Sequence, residues 1–160
     1  MYKIGDKIVY PMHGAGIIDK IESREILGEI RDYYILNISC GDMGLMLPVE
    51  NCDKIGVRPI VSSQELKEAM DILGRESTRM ADNWNKRQRE NMDKLKTGNI
   101  EITAEIVRNL TRIDREKKLS AGEKKILTNA RRILLSEVML VEDLSEEEAL
   151  ELIEKAIGAA

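Results

Sequence analysis

Trp84 is the side chain of this sequence whose type and surroundings best suit a binding task. It is the only tryptophan, and the chain has no phenylalanine at all. Lys86 and Arg87 follow it closely in a stretch that favours a helix. A flat ring framed by cations suits a side chain that contacts nucleic-acid bases while its neighbours hold phosphates. The alternative is a tryptophan that anchors the start of a helix against a neighbouring helix.

The residues that usually carry catalysis or bind metals are scarce. Cys40 and Cys52 lie twelve positions apart, and His13 is the only histidine. This set is too small for a closed zinc site and leaves little material for a Ser-His or Cys-His pair. The glycines at residues 14–16 lack the Lys-Ser/Thr of a phosphate-binding loop. The sequence therefore predicts a protein that is not an enzyme, with no cofactor, no metal and no small-molecule substrate.

The net charge of −4 hides three unlike segments. Residues 1–78 carry 9 Lys and Arg against 13 Asp and Glu, residues 79–132 carry 15 against 8, and residues 133–160 carry 1 against 8. A basic segment next to an acidic tail is expected when one face approaches a polyanion. Alternatively, Lys124, Lys125, Arg131 and Arg132 pair with the acidic residues 146–148.

No part of the sequence predicts contact with a membrane. No uncharged apolar run reaches the length of roughly 18 residues that spans a bilayer. The first residues also lack the apolar core of a secretory signal. We therefore expect a cytoplasmic protein.

The first sixty residues have the pattern of β-structure. Short apolar or β-branched runs occupy residues 7–10, 15–18, 33–38 and 44–49, and Gly, Pro, Asn and Asp separate them. Strands this short, joined by tight turns, favour antiparallel pairing over βαβ units. We expect a small antiparallel barrel of about five strands.

The rest of the chain has the pattern of helices. Pro59 ends the β-segment, and three Ser-x-x-Glu capping boxes follow, which start at Ser62, Ser120 and Ser145. Apolar residues recur at helical spacing after each of them. The sequence thus predicts an α+β protein of two domains: a small antiparallel barrel at residues 1–60 and a compact bundle of about five helices at residues 61–160.

Four strings in this order resemble the CarD/CdnL family of bacterial transcription regulators. They are IGDKIVYPMHGAG at residues 4–16, LPVEN at residues 47–51 with GVR at 56–58, Asn83-Trp84 followed by basic residues, and LSAGEK at residues 119–124. The resemblance extends over essentially the full chain. It implies that the barrel is a Tudor/SH3-like module that binds the β subunit of RNA polymerase and that the helical domain contacts promoter DNA, in a bacterial protein associated with the nucleoid through the polymerase.

The resemblance also implies roles for particular residues. Trp84 takes the place of a tryptophan that wedges into the minor groove at the upstream edge of the transcription bubble, a fork junction recognised without sequence specificity. Lys86 and Arg87 would add phosphate contacts. The basic face would be widened by Lys124, Lys125 and Arg131. By this mechanism the protein stabilises the open promoter complex.

For the polymerase contact, Arg24 and Ile26 align with positions that relatives use, on or beside a strand at residues 22–27. A third aligned position is basic in some relatives and is Met46 here, which implies a more apolar interface. The alternative for Arg24 is a solvated charge on a strand, and the alternative for Met46 is a side chain of the barrel core. The alternative for the whole protein is a non-enzymatic adaptor that docks proteins through both parts and has no direct role on DNA.

Overall fold

The structure is a computed structural model that describes residues 1–158. Its first part is one antiparallel sheet in which the strands follow the order β4-β3-β2-β1-β5. The strands are β1 (Lys7–Tyr10), β2 (Gly14–Ile26), β3 (Glu29–Ile38), β4 (Met43–Pro48) and β5 (Arg58–Pro59). A 3-10 turn at Val49–Asn51 and the short helix α1 (Cys52–Ile55) connect β4 to β5.

The sheet is open, so the predicted closed barrel is wrong in this respect. β4 and β5 lie at the two edges and do not pair with each other. β5 contains only two residues, and Pro59 has no backbone N–H to donate, which limits strand pairing at this edge. One face of the sheet nevertheless forms a hydrophobic core together with Cys52 of α1. The buried residues from the strands are Ile8, Ile18, Tyr34, Leu36, Ile38 and Leu47.

The hairpin of β2 and β3 is much longer than the sequence pattern predicted. Strand pairing continues to Ile26 opposite Glu29, and Leu27 and Gly28 form the turn with positive φ angles of 54° and 79°. Residues 23–32 are exposed on both faces, so this end of the hairpin extends beyond the core. With no buried face, its sequence has no alternation of apolar and polar residues that would indicate a strand. The strand expected at residues 22–27 from the resemblance lies within this end, apart from Leu27 in the turn.

The second part is a bundle of five helices within the described residues, as predicted. They are α2 (Ser63–Gly74), α3 (Trp84–Leu95), α4 (Ile100–Glu116), α5 (Ala121–Glu142) and α6 (Glu146–Ile157). Capping boxes form at Ser62 and at Ser145. At Ser120 only half of the predicted box forms, because the hydroxyl accepts the Glu123 N–H but the Glu123 carboxylate does not accept the Ser120 N–H. This carboxylate is instead bound by a side chain of α3.

Helix α5 is the centre of the molecule. It packs against α2, α3, α4 and α6, and also against strand β2. Its buried residues therefore face the bundle and the sheet at once, which joins the two parts. No helix among residues 1–158 combines the length and the apolar character needed to cross a membrane.

Candidate nucleic-acid and partner interfaces

Trp84 is the first residue of α3, and its side chain is 51% exposed. Asn83 has extended backbone angles and caps the helix, because its side-chain oxygen accepts the backbone N–H groups of Asn85 at 2.9 Å and Lys86 at 3.3 Å. The cap fixes where the helix begins and so fixes the position of the ring. A half-exposed ring is not the buried anchor of the alternative interpretation.

Behind Trp84, α3 is held to α5 by a buried ion pair. Arg87 donates from Nε to Glu123 Oε2 at 2.6 Å and from Nη2 to Glu123 Oε1 at 2.9 Å. Glu123 is 1% exposed and also accepts the Ser120 hydroxyl at 3.1 Å. The hydrogen bonds from Arg87 hold the pKa of the Glu123 carboxyl below its ordinary value. Arg87, predicted to contact phosphate, has its guanidinium bound to Glu123 in this structure.

The backbone of α5 at Gly122 also lies close to the Gln88 side chain of α3. A Cβ atom at Gly122 would collide with the side-chain amide of Gln88. Trp84, Arg87 and Gln88 share one face of α3, because residues three and four positions apart lie above one another on a helix. We call this region, residues 84–88 of α3 with residues 120–123 of α5, the Trp84 platform.

Exposed cations surround the platform. Lys86 lies on it, and Lys124 and Lys125 follow it directly on α5. Lys117 and Lys118, which the sequence analysis missed as site residues, are exposed in the connection that leads into α5. A pair of lysines just before an N-cap serine was the signal for them, because it places charge at the end of the bundle where helices α3 and α5 begin.

The surface of residues 79–132 is less basic than the number of lysines and arginines in this segment suggests. Arg108 is fully buried and donates to the carbonyl of Ile72 at 2.9 Å, and Arg112 donates to that of Leu73 at 3.2 Å. These two arginines satisfy the last carbonyls of α2, where the helix dipole favours cations. They are therefore unavailable to an external polyanion.

The predicted Arg131 is half-buried and donates to the Thr111 hydroxyl at 3.1 Å. Its neighbour Arg132, and not Arg131, lines a groove of about 310 Å³ together with Lys124 and Lys125. Residues 125, 129 and 132 share a face of α5, which explains this grouping.

The three predicted polymerase-contacting residues lie on one face of the sheet. Lys20 pairs with Ile35, which pairs with Met46, and Arg24 pairs with Arg31. Because cross-strand partners share a face and alternate residues follow it, Arg24, Ile26 and Met46 all point away from the core. We call this the outer face, with members Lys20, Glu22, Arg24, Ile26, Glu29, Arg31, Tyr33, Ile35 and Met46.

Most side chains of the outer face are exposed, whereas Glu22, Tyr33 and Ile35 are half-buried. Ile26 is 47% exposed, and Met46 is exposed too, so Met46 is not part of the core. Arg24 donates to Glu22 Oε2 on its own strand at 2.6 Å. Hydrogen bonds from Lys20 and Arg24 lower the pKa of Glu22. Strand β4, which carries Met46, is an edge of the sheet.

Comparisons with known proteins agree with this architecture. The family model for the CarD-like/TRCF RID domain matches residues 2–61, and that for the CarD C-terminal domain matches residues 68–154. A Bacillus subtilis (strain 168) protein named "Putative transcription factor YdeB" is 43% identical over 149 residues, which is 92% of this chain and 97% of the relative's length. The chain therefore belongs to the CarD-like family of transcription factors, and membership supports a role in transcription regulation.

Proposed function

We propose that this protein binds the β subunit of RNA polymerase and stabilises the open promoter complex by inserting Trp84 into the minor groove at the upstream edge of the bubble. Residues 1–60 provide the polymerase contact and residues 61–160 the DNA contact. In a bacterial cell the polymerase would hold the protein at the nucleoid. The observation that carries this proposal is the half-exposed Trp84 ring at the first position of a firmly held helix.

Insertion of an apolar side chain between base steps costs a few kcal/mol of unstacking. The cost is smaller where the duplex is already distorted, as at the fork of an open bubble. A wedge that binds the open complex better than the closed one shifts the population toward the open state by its difference in affinity. The buried Arg87–Glu123 pair supports this role, because a rigidly held ring loses little conformational freedom on insertion.

Phosphate contacts in this proposal come from the exposed lysines Lys86, Lys124 and Lys125. Arg131 would have to leave the Thr111 hydroxyl to contribute as predicted. Arg87 acts by positioning the helix, since Glu123 occupies its guanidinium. Contacts with phosphates bind DNA without sequence preference and weaken with salt. Weak DNA binding is sufficient, because attachment to the polymerase raises the effective concentration of the DNA-binding part. A chain with a net charge of −4 can therefore act at a promoter.

The polymerase contact uses the outer face and the neighbouring edge strand β4. The unpaired N–H and C=O groups of an edge strand can accept a further strand from a partner, and side chains on alternate positions then set specificity. Arg24, Ile26 and Met46 lie on the face that such a partner would contact. Exposed Ile26 and Met46 supply apolar area, which compensates for the basic residue that some relatives have in place of Met46.

The decisive experiment measures the lifetime of open promoter complexes with wild type and with Trp84→Ala. We expect the variant to lose the increase in lifetime while its affinity for the isolated β-subunit lobe remains unchanged. The matched control is Leu150→Ala, which removes another partly exposed apolar side chain far from the DNA-binding end, on α6. A Trp84→Ala variant that lengthens the lifetime as wild type does would refute the wedge.

A further inference from the structure

An ion pair between the half-buried Arg58 and the buried Glu137 joins the sheet to the bundle. Arg58 of β5 donates from Nη1 and Nη2 to the two oxygens of Glu137 on α5, both at 2.8 Å. Glu137 is 1% exposed and accepts in addition the backbone N–H of Val61 at 2.9 Å. Arg58 also donates from Nε to the carbonyl of Gly98, at 2.9 Å, in the connection between α3 and α4. One charged pair thus fixes β5, α5 and the α3–α4 connection together.

Ser136, the neighbour of Glu137 on α5, makes a second polar contact between the bundle and the sheet. The fully buried Ser136 hydroxyl accepts the backbone N–H of Ala15 at 2.8 Å, and its carbonyl accepts the Ser39 hydroxyl at 3.0 Å. Gly14 has φ +116°, and a Cβ atom there would lie 2.8 Å from Ser136 Oγ. Only glycine suits this position, which lets the helix lie directly on the start of β2.

The same helix holds the Trp84 platform at its other end. Glu123 in the first turn of α5 binds Arg87 of α3, and Glu137 lies about 21 Å further along the helix axis. α5 is a single uninterrupted helix of 22 residues. Its two buried carboxylates are therefore connected by a rigid element, with the sheet attached at one and the tryptophan helix at the other.

We propose that α5 is a strut that fixes the position of Trp84 relative to the outer face, and that Glu137 and Arg58 are positioning residues for the DNA contact. This inference rests on the proposed function, because it assumes that polymerase and DNA are bound at the same time. When the protein is docked on polymerase through the sheet, the strut places the ring at the fork. Neither Arg58 nor Glu137 contacts DNA or polymerase in this scheme.

A polar connection suits this role better than an apolar one. Apolar surfaces can slide over one another with little change in free energy, whereas a bidentate arginine–carboxylate pair permits one geometry. The gain from tethering is lost when geometry prevents both sites from binding together. A loosened connection should therefore weaken the joint action while each separate binding event stays intact.

The test compares wild type with Glu137→Gln and with the milder Arg58→Lys, which keeps the charge but cannot make the bidentate pair. Amide hydrogen exchange at Ala15 and Val61 measures opening of the connection, because both N–H groups donate to α5 side chains. Titrations measure the affinities for the isolated β-subunit lobe and for forked DNA. The open-complex lifetime measures joint action. Arg115→Gln, which breaks an ion pair inside the bundle, is the matched control.

We expect faster exchange at both amides, affinities within about twofold of wild type and at least a fivefold smaller increase in lifetime for both variants. The control should behave as wild type. A full lifetime effect despite faster exchange would overturn the strut, as would unchanged exchange in both variants or a parallel loss of both affinities. If wild type itself does not lengthen the lifetime, the proposed function fails, and that result is distinct from a failure of the strut.

Discussion

The Trp84 platform and the outer face both present exposed side chains, but they are supported in opposite ways. At the platform the exposed Trp84 stands on helices joined by a buried ion pair between residues 36 positions apart. On the outer face Arg24 and Ile26 lie on a two-stranded hairpin with no core beneath its end, and the Arg24 ion pair stays within one exposed strand.

This difference fits what the proposed function requires of each surface. A ring that enters a groove between base steps needs a fixed position, so its support must be buried and long-range. A surface that pairs through an edge strand obtains much of its affinity from backbone hydrogen bonds and can tolerate side-chain mobility. Under this proposal the surface that would enter the groove has the firmer support of the two.

Replacement of Glu123 by alanine should have the largest effect. It leaves Arg87 partly buried without its carboxylate, and removal of one partner of a buried pair costs about 3–5 kcal/mol. Urea unfolding monitored by circular dichroism measures this loss. The double variant Glu123→Leu with Arg87→Leu should recover much of it, because no charge is left unpaired. A loss below about 1 kcal/mol in the single variant would show that the platform does not depend on this pair.

Replacement of Ile26 by aspartate should have an intermediate effect, on binding alone. We expect about tenfold weaker affinity for the β-subunit lobe, or about 1.4 kcal/mol, because a charge replaces an apolar contact. The control is Ile30→Asp, on the same hairpin but on the opposite face, where it pairs with Glu25 and is 75% exposed. Equal losses for the two variants would contradict the assignment of the outer face.

Replacement of Glu22 by glutamine should have the smallest effect. The pKa of Glu22 is lowered by Lys20 and Arg24, but both of these partners are exposed, so solvent and salt screen the ion pairs. We expect no measurable change in unfolding free energy or in its dependence on pH. Equilibrium unfolding from neutral pH down to pH 3 checks this, and a flatter acid limb for Glu22→Gln would contradict it.

In the same unfolding experiment, Glu123→Gln should differ from wild type in the pH dependence of its stability. The pKa of Glu123 is held below its ordinary value of 4.5 by Arg87, so its contribution is complete above that value and is lost as the pH falls through the lower, folded-state pKa. Wild type should therefore lose stability more steeply in acid than Glu123→Gln does.

The elements that follow local rules could be predicted from the sequence. The capping boxes at Ser62 and Ser145 and the five helices after residue 61 are confirmed, because caps and helical periodicity depend on residues within four positions of one another. The residue pattern did not predict the end of the β2–β3 hairpin, since strands without a buried face carry no alternation. A strand at residues 22–27 was expected only from the family resemblance. Closure of the sheet was predicted wrongly, because it depends on whether two distant edges meet.

The sequence by itself determined the family, the order of elements and the choice of Trp84, Arg24 and Ile26 as candidate contacts. Only the tertiary structure decided which charges are free. Arg87 and Lys86 are adjacent in a basic string, yet Arg87 is bound to Glu123 and Lys86 is exposed. Charge type is a property of the residue, whereas burial and pairing depend on which helices pack together, and α5 sets that by contacting every other major element of the bundle.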